Sequence, residues 1–302
     1  MGAIIETNNL TKIFGKHKAV DHVNLSIHQG DIYGLIGRNG AGKTTLMKMI
    51  GNLSQASSGS YTIYGKKAEE LGDLASRVSC MIENTGIYPS FTAYDHILLK
   101  GQALGLRKKD YIEEVLEIVN LSSAGKKKVK NFSLGMKQRL GLALALVGNP
   151  DILILDEPTN GLDPQGIVEI RKTINRLNRE KNITFIISSH ILGELAKLAT
   201  RFAIINDGSL IANFTREEME EQNRDRLELV TDDKEKTSIL LDQIIGIENY
   251  QIMPDDNFYI YLGPSYIKEI IQVLTSNGIA IEYFSVHEAS LEDYYLKLLA
   301  ER

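Results

Sequence analysis

The chain has 302 residues, 43% of them hydrophobic and 24% charged, with a formal net charge of −5. That length suits one large domain with a modest second one; the composition excludes a disordered chain, and the acidic balance gives no support for a nucleic-acid-binding face. The lone cysteine, Cys80, excludes an internal disulfide and fits a reducing compartment.

Met1 to Glu6 lacks the basic-then-apolar order of a signal peptide. From Ile4 to Ile27, β-branched residues punctuated by Asn8-Asn9 and Gly15-Lys16 predict short strands with turns at those pairs. Asp31–Ile36 is an apolar strand candidate running into Gly37, and Thr44–Ile50 has helical character. Tyr88 to Gly148 reads as mostly helical, with Tyr111–Val119 amphipathic and Met136–Val147 apolar over most of its surface. Within it, Lys126, Lys127, Lys128 and Lys130 form a basic run whose plain reading is a solvated loop. Ile152–Leu155, Thr184–Ile187 and Phe202–Ile205 are short apolar runs bounded by turn or charged residues, the pattern of buried parallel strands with helices between them. Phe214–Asp225 turns polar and acidic and predicts the helix or linker that leaves the main domain.

Beyond it the order is strand (Arg226–Val230), helix (Glu235–Ile244), strand (Tyr250–Met253), strand (Phe258–Leu262), helix (Ile267–Ser276), strand (Ile279–Phe284), then a closing helix (Leu291–Leu299). That is the ferredoxin-like split unit. The longest apolar stretches, Leu140–Val147 and Ile183–Ile187, fall far short of the ~20 residues a helix needs to cross a bilayer. A path through a membrane would have to come from another polypeptide.

Gly37-Arg38-Asn39-Gly40-Ala41-Gly42-Lys43-Thr44 matches the phosphate-loop pattern G-x-x-x-x-G-K-[ST] without a gap, between a predicted strand and a predicted helix. The glycines let backbone N–H groups turn inward around an anion, and the helix that follows points its positive end at the same phosphates. Asn39, Gly40, Gly42, Lys43, Thr44 and Thr45 are the nucleotide-binding candidates here. Lys43 would reach the β- and γ-phosphates, and the Thr44 hydroxyl would ligate Mg²⁺.

Further segments follow in a fixed order. Phe132-Ser133-Leu134-Gly135-Met136-Lys137-Gln138 precedes the apolar strand Ile152–Leu155, which ends in Asp156-Glu157; then come Gly161-Leu162-Asp163 and, after Ser188-Ser189, His190. With these, the chain resembles the ATP-binding-cassette family over roughly its first 220 residues. The resemblance implies an α/β P-loop cassette: a RecA-like parallel sheet core, an antiparallel β-subdomain and a helical subdomain at about 88–148. The expected division is 1–221 for the cassette and 222–302 for a small α+β ferredoxin-like accessory domain.

It also implies roles. Asp156 would hold the Mg²⁺ shell, Glu157 would polarise the attacking water, and His190 would contact the γ-phosphate and hold water and Glu157 in place. Ser133 and Gly135 belong to a segment resembling the family's signature, in which Leu134 and Met136 replace a glycine and a glutamine. That segment serves ATP bound by another subunit, so it implies a dimer, and Asp163 would sit in the loop crossing its interface. Phe14 lies where the family places an adenine-stacking aromatic, with Val20 able to pad the same ring. Glu83 stands where the family has glutamine; a carboxylate can approach Mg²⁺ or a water but cannot donate to a phosphate. Met81-Ile82-Glu83-Asn84 followed by Tyr88-Pro89-Ser90-Phe91-Thr92 resembles the bacitracin-resistance and lantibiotic-immunity branch, whose ATPases serve peptide exporters.

The expected cofactors are therefore ATP and Mg²⁺. The expected partners are a second cassette, identical or homologous, and integral membrane permease subunits, with no nucleic acid. The expected location is cytoplasmic, peripheral on the inner face of the membrane. The rival reading is a soluble, non-transport cassette ATPase acting on ribosomes or DNA, but such proteins usually carry paired cassettes or long coiled-coil insertions. A non-catalytic nucleotide-binding regulator would need a damaged acid or histidine, and Asp156, Glu157 and His190 are intact.

Overall fold

In a computed structural model, which describes residues 2–82, 86–107, 109–222, 226–246, 249–255, 257–261, 266–287 and 290–300, the amino-terminal stretch folds as one long strand, β1 (Ala3–Phe14). The predicted break at Asn8-Asn9 is instead an irregularity within it. Asn9 takes a φ of 46°, a left-handed value that asparagine tolerates, and the pairing registers of β1 shift nearby. The turn at Gly15-Lys16 is present and leads into β2 (His17–Val23) and β3 (Ser26–His28), both antiparallel to β1. Next come β4 (Ile32–Ile36), α1 (Lys43–Ile50), β5 (Ser58–Ile63) and β6 (Lys66–Lys67). The antiparallel sheet has the order β2-β1-β5-β6, with β3 also paired to β1.

After β7 (Val78–Met81) the chain forms the helices α2 (Ala93–Ala103), α3 (Asp110–Ile118) and α4 (Leu134–Leu146), where the sequence predicts a helical segment. It then alternates: β8 (Ile152–Asp156), α5 (Pro164–Lys181), β9 (Thr184–Ser189), α6 (Leu192–Ala196), β10 (Arg201–Asn206) and β11 (Ser209–Thr215). The second sheet has the order β11-β10-β4-β9-β8-β7, parallel except for the β10–β11 pair. All of β4 and β9 is buried, as is β8 up to Leu155, which is why these strands read as unbroken apolar runs. Because β9 lies between β4 and β8, the segments that follow these three strands leave the sheet at one carboxyl edge, the usual place for a ligand in such a fold.

The chain divides into two compact units, Met1–Arg216 and Glu217–Arg302. The acidic stretch becomes α7 (Arg216–Gln222). The second unit contains β12 (Arg226–Thr231), α8 (Lys234–Ile245), β13 (Tyr250–Ile252), β14 (Phe258–Ile260), α9 (Ile267–Ser276), β15 (Ile281–His287) and α10 (Leu291–Ala300). Its antiparallel sheet runs β13-β14-β12-β15, the strand order of a ferredoxin-like unit. It has a core of its own, in which Leu227, Leu229, Phe258 and Ile260 meet Leu241 and Leu274 of the helices. Among the described residues, no helix is long and apolar enough to cross a membrane.

Candidate functional site

The loop from Gly37 to Thr44 joins β4 to α1, as its pattern requires. Gly42 has a φ of 106°, and a side chain there would strike the carbonyl oxygen of Ala19; one at Gly37 would strike that of Ile205. The loop is thus pressed between the antiparallel sheet and the end of β10, with no room for Cβ atoms at either position. Lys43 is buried at 6% exposure, and its Nζ donates to the carbonyls of Gly37 at 2.8 Å and Arg38 at 3.3 Å. Burial holds its pKa below the ordinary lysine value, opposed by the charges of Glu157 and Asp156. Asn39 and Gly40 are exposed at the lip of the loop, while Thr44 and Thr45 are half-buried in the first turns of α1.

A chain of hydrogen bonds ties α1, β8 and β9 together. Thr44 Oγ1 donates to Asp156 Oδ2 at 2.7 Å, and Ser188 Oγ donates to Asp156 Oδ1 at 2.5 Å. The N–H of Glu157 donates in turn to Ser188 Oγ at 2.9 Å. Glu157 holds a left-handed backbone with φ 50° just ahead of Pro158. For a non-glycine residue that conformation costs on the order of 1–3 kcal/mol, and such strain concentrates at working sites. It places the Glu157 carboxylate against His190, whose Nδ1 lies 2.6 Å from Oε2. A carboxylate only accepts, so Nδ1 carries the proton and donates, and the ring's other nitrogen, Nε2, faces away from Glu157.

Ser133 and Asp163 lie elsewhere on the chain's surface. Each caps a helix: Ser133 Oγ accepts from the N–H of Met136 at 3.2 Å at the start of α4, and Asp163 Oδ1 accepts from the N–H of Gly166 at 2.9 Å at the start of α5. Both residues, with Gly135, line one cavity of about 350 Å³ that includes no residue of the Gly37–Thr44 loop. Two helix N-termini opening on one cavity make an anion-receptive surface. Leu134, one of the departures from the signature, is 51% exposed and leans on Gly161 of the neighbouring loop.

Phe14 is 54% exposed, with Lys12 Nζ 5.2 Å from its ring centre. It is an aromatic surface rather than a core side chain. Val20, in contrast, is 1% exposed and packed in the main core, which leaves Phe14 as the accessible group of the two. Glu83 lies outside the described residues. Sequence reasoning missed Ser188, whose hydroxyl bonds both Asp156 and Glu157, and Arg139, which lines the second cavity while paired with Glu169 at 2.9 Å. Ser188 is the direct register partner of Asp156 on adjacent parallel strands, but that pairing is not visible in one dimension.

The ABC transporter family profile matches residues 20–160. The chain is 42% identical to the bacitracin transport ATP-binding protein BcrA of Bacillus licheniformis, over 99% of this chain and 98% of that one. It is also 41% identical to the lantibiotic transport ATP-binding protein SrtF of Streptococcus pyogenes, over 69% of this chain and 89% of the relative. The chain belongs to the ATP-binding subunits of ABC transporters. A solved ATP-binding subunit of an ABC transporter overlays with a TM-score of 0.65 at 27% identity, covering 72% of this chain and 92% of that one. A dimeric cassette bound to ADP and phosphate overlays at 0.63 and 23% identity, covering 70% of this chain and 98% of that one, and shows the shared fold. As an ABC transporter ATPase subunit, the chain binds and hydrolyses ATP, and the ribosome- or DNA-directed alternative falls away, because these relatives are named for transport.

Proposed function

We propose that this ATPase powers export of antimicrobial or other peptides or amphiphiles through separate membrane subunits, with two ATP molecules held at a seam between two cassettes. The observation that carries the seam is the separation of the two half-sites: the Gly37–Thr44 loop and the Ser133–Gly135–Asp163 cavity share no lining residue. Each loop would be completed by the second cassette's cavity, so ATP's charge is met by donors from both sides. Peptide export is supported by the full-length similarity to BcrA, which extends through the carboxyl-terminal unit, and a wider range of antimicrobial amphiphiles by the linearmycin resistance ATP-binding protein LnrL of Bacillus subtilis, at 35% identity over 72% of this chain. The partner cassette is a second copy or a close homologue, and the assembly sits on the inner face of the membrane through its permease subunits.

The residues at the loop fit Mg²⁺. Thr44 Oγ1 and Asp156 are hard oxygen donors already side by side at 2.7 Å. Among the described residues no three His, Cys, Asp or Glu side chains converge, so these donors make a partial shell of the kind that phosphate oxygens and water complete. When bound, the ion would neutralise charge developing between the β- and γ-phosphates. Glu157 orients water, His190 donates from Nδ1 to Glu157 and, as an imidazolium, from Nε2 to the γ-phosphate, and Phe14 stacks on the base. Glu83 remains a proposed contributor to catalysis and the metal shell. The carboxyl-terminal unit is proposed as a dimer-stabilising or regulatory module. The test is protection of a peptide-sensitive host on co-expression with its membrane permease subunits. Protection by the wild type and none by Glu157→Gln is expected; equal protection by both removes ATP-driven export.

A further inference from the structure

The end of β1 carries two open side chains. Ile13 is 40% exposed and Phe14 54%, and Phe14 makes no ring–ring contact with a described residue. A phenylalanine with so little packing around it has more than one staggered χ1 position open to it. Lys12, two residues back on the same strand, sets its ammonium over that ring, with Nζ 5.2 Å from the ring centre. The ammonium forms no ion pair with a described residue. It donates instead to the carbonyl of Gln55 at 2.6 Å.

That carbonyl belongs to a braced segment. The N–H groups of Leu53 and Ser54 donate to the carbonyl of Lys48 at 2.8 Å and 3.1 Å, which ties the segment to α1. The N–H of Ser57 donates to the carbonyl of Thr11 at 2.8 Å, and the N–H of Ile13 donates to Ser57 Oγ at 3.0 Å, which ties it to the end of β1. Because α1 starts at the phosphate loop, one run of backbone links the residues that hold phosphate to the strand end that holds the ring.

We infer that Lys12 is a positioning residue for nucleotide: its ammonium, anchored on the Gln55 carbonyl, holds one face of the Phe14 ring and leaves the opposite face presented to the base. The inference rests on the reading of Phe14 as the stacking aromatic and adds the group that orients it. A cation is drawn to the negative face of an aromatic ring, and at an exposed site the attraction multiplies the population of the held ring about two- to fivefold. ATP then meets a ring already oriented, so less of its binding energy goes into fixing the side chain. The ammonium also draws π-charge towards itself, which lowers the repulsion between the open face and the π-cloud of a base. Lys12 acts through the base alone, and phosphate recognition is independent of it.

The experiment measures binding of ATP to the full chain, its displacement by inorganic triphosphate, which has no base, and steady-state turnover. Lys12→Met keeps the apolar stem and removes the charge. It should raise the Kd and KM for ATP about two- to fivefold while kcat and triphosphate affinity stay at their wild-type values. Lys12→Arg, whose guanidinium also binds ring faces, should restore ATP affinity. Phe14→Ala should weaken ATP binding roughly 5- to 150-fold, the range for losing one base–aromatic stack. In that background Lys12→Met should change nothing further, because the two groups act as one unit. Unchanged ATP affinity in Lys12→Met, an equal loss with and without Phe14, or a matching loss for triphosphate each overturns the proposal; the last two would make Lys12 a plain attractor of phosphate charge. Weak binding by Phe14→Ala beside normal binding by Lys12→Met sinks the proposal alone and leaves the stacking reading standing. If Phe14→Ala itself binds ATP as the wild type does, the stacking reading falls and the proposal with it.

Discussion

Glu157 is held by two separate devices: a left-handed backbone before a proline and a 2.6 Å bond from His190. Glutamine can accept the same bond, so Glu157→Gln should preserve the geometry and remove the basicity. Hydrolysis should fall by about 10²–10⁴ while nucleotide binding persists, measured by phosphate release and by equilibrium binding. Ser188 offers a contrasting case. Its hydroxyl joins Asp156 to the N–H of Glu157, so Ser188→Ala leaves a donor and an acceptor without their partner. It should cost about 1–3 kcal/mol in urea unfolding and lower turnover as well. Gly42→Ala should abolish nucleotide binding, because the new methyl meets the Ala19 carbonyl in a backbone region that L-residues rarely adopt. The loop, the acids and His190 were legible because their chemistry demands fixed residue types at fixed spacing. Ser188 was not, since serine is common and its role exists only once β8 and β9 lie side by side.

Among the elements, the apolar runs of β4, β8 and β9 were readable because strands covered on both faces have no polar alternation to dilute the signal. β1 was less so. Its Asn8-Asn9 pair carries turn chemistry locally, but pairing with strands on both sides overrides it, and Asn9 is accommodated as a shift in register. Helix starts give a sharper test. Asp163 caps the 18-residue α5, with Pro164 in its first turn. Asp163→Ala should destabilise the cassette by about 1 kcal/mol, whereas Asp163→Asn keeps the cap and should unfold at nearly the wild-type urea midpoint. A loss of turnover in Asp163→Asn without loss of stability would then report the carboxylate's work at the seam, separate from its work as a cap.

At the scale of the whole molecule, the two units have separate cores, one built around the P-loop cassette and the other around β12 and β14. The ferredoxin-like order was legible from the alternation of short strands and helices; what that unit does is not, because a fold of this kind serves many roles. Truncation at Asn223 should leave ATP binding intact and weaken ATP-dependent dimerisation, read by light scattering across a concentration series; identical behaviour of the two forms would make the unit a passive appendage. The sheet order carries one more consequence. Ile32–Ile36 pairs directly with Phe185–Ser189, about half the chain away, and Ile152–Asp156 reaches β4 only through that same strand. During synthesis, a ribosome that has released β8 has already exposed the loop and both acids, yet the strand that must slot between them is still unmade. Such long-range insertion is slow and leaves open edges in the interim, so the nascent cassette cannot grip nucleotide until β9 arrives, and the interval before then is when it most needs a chaperone.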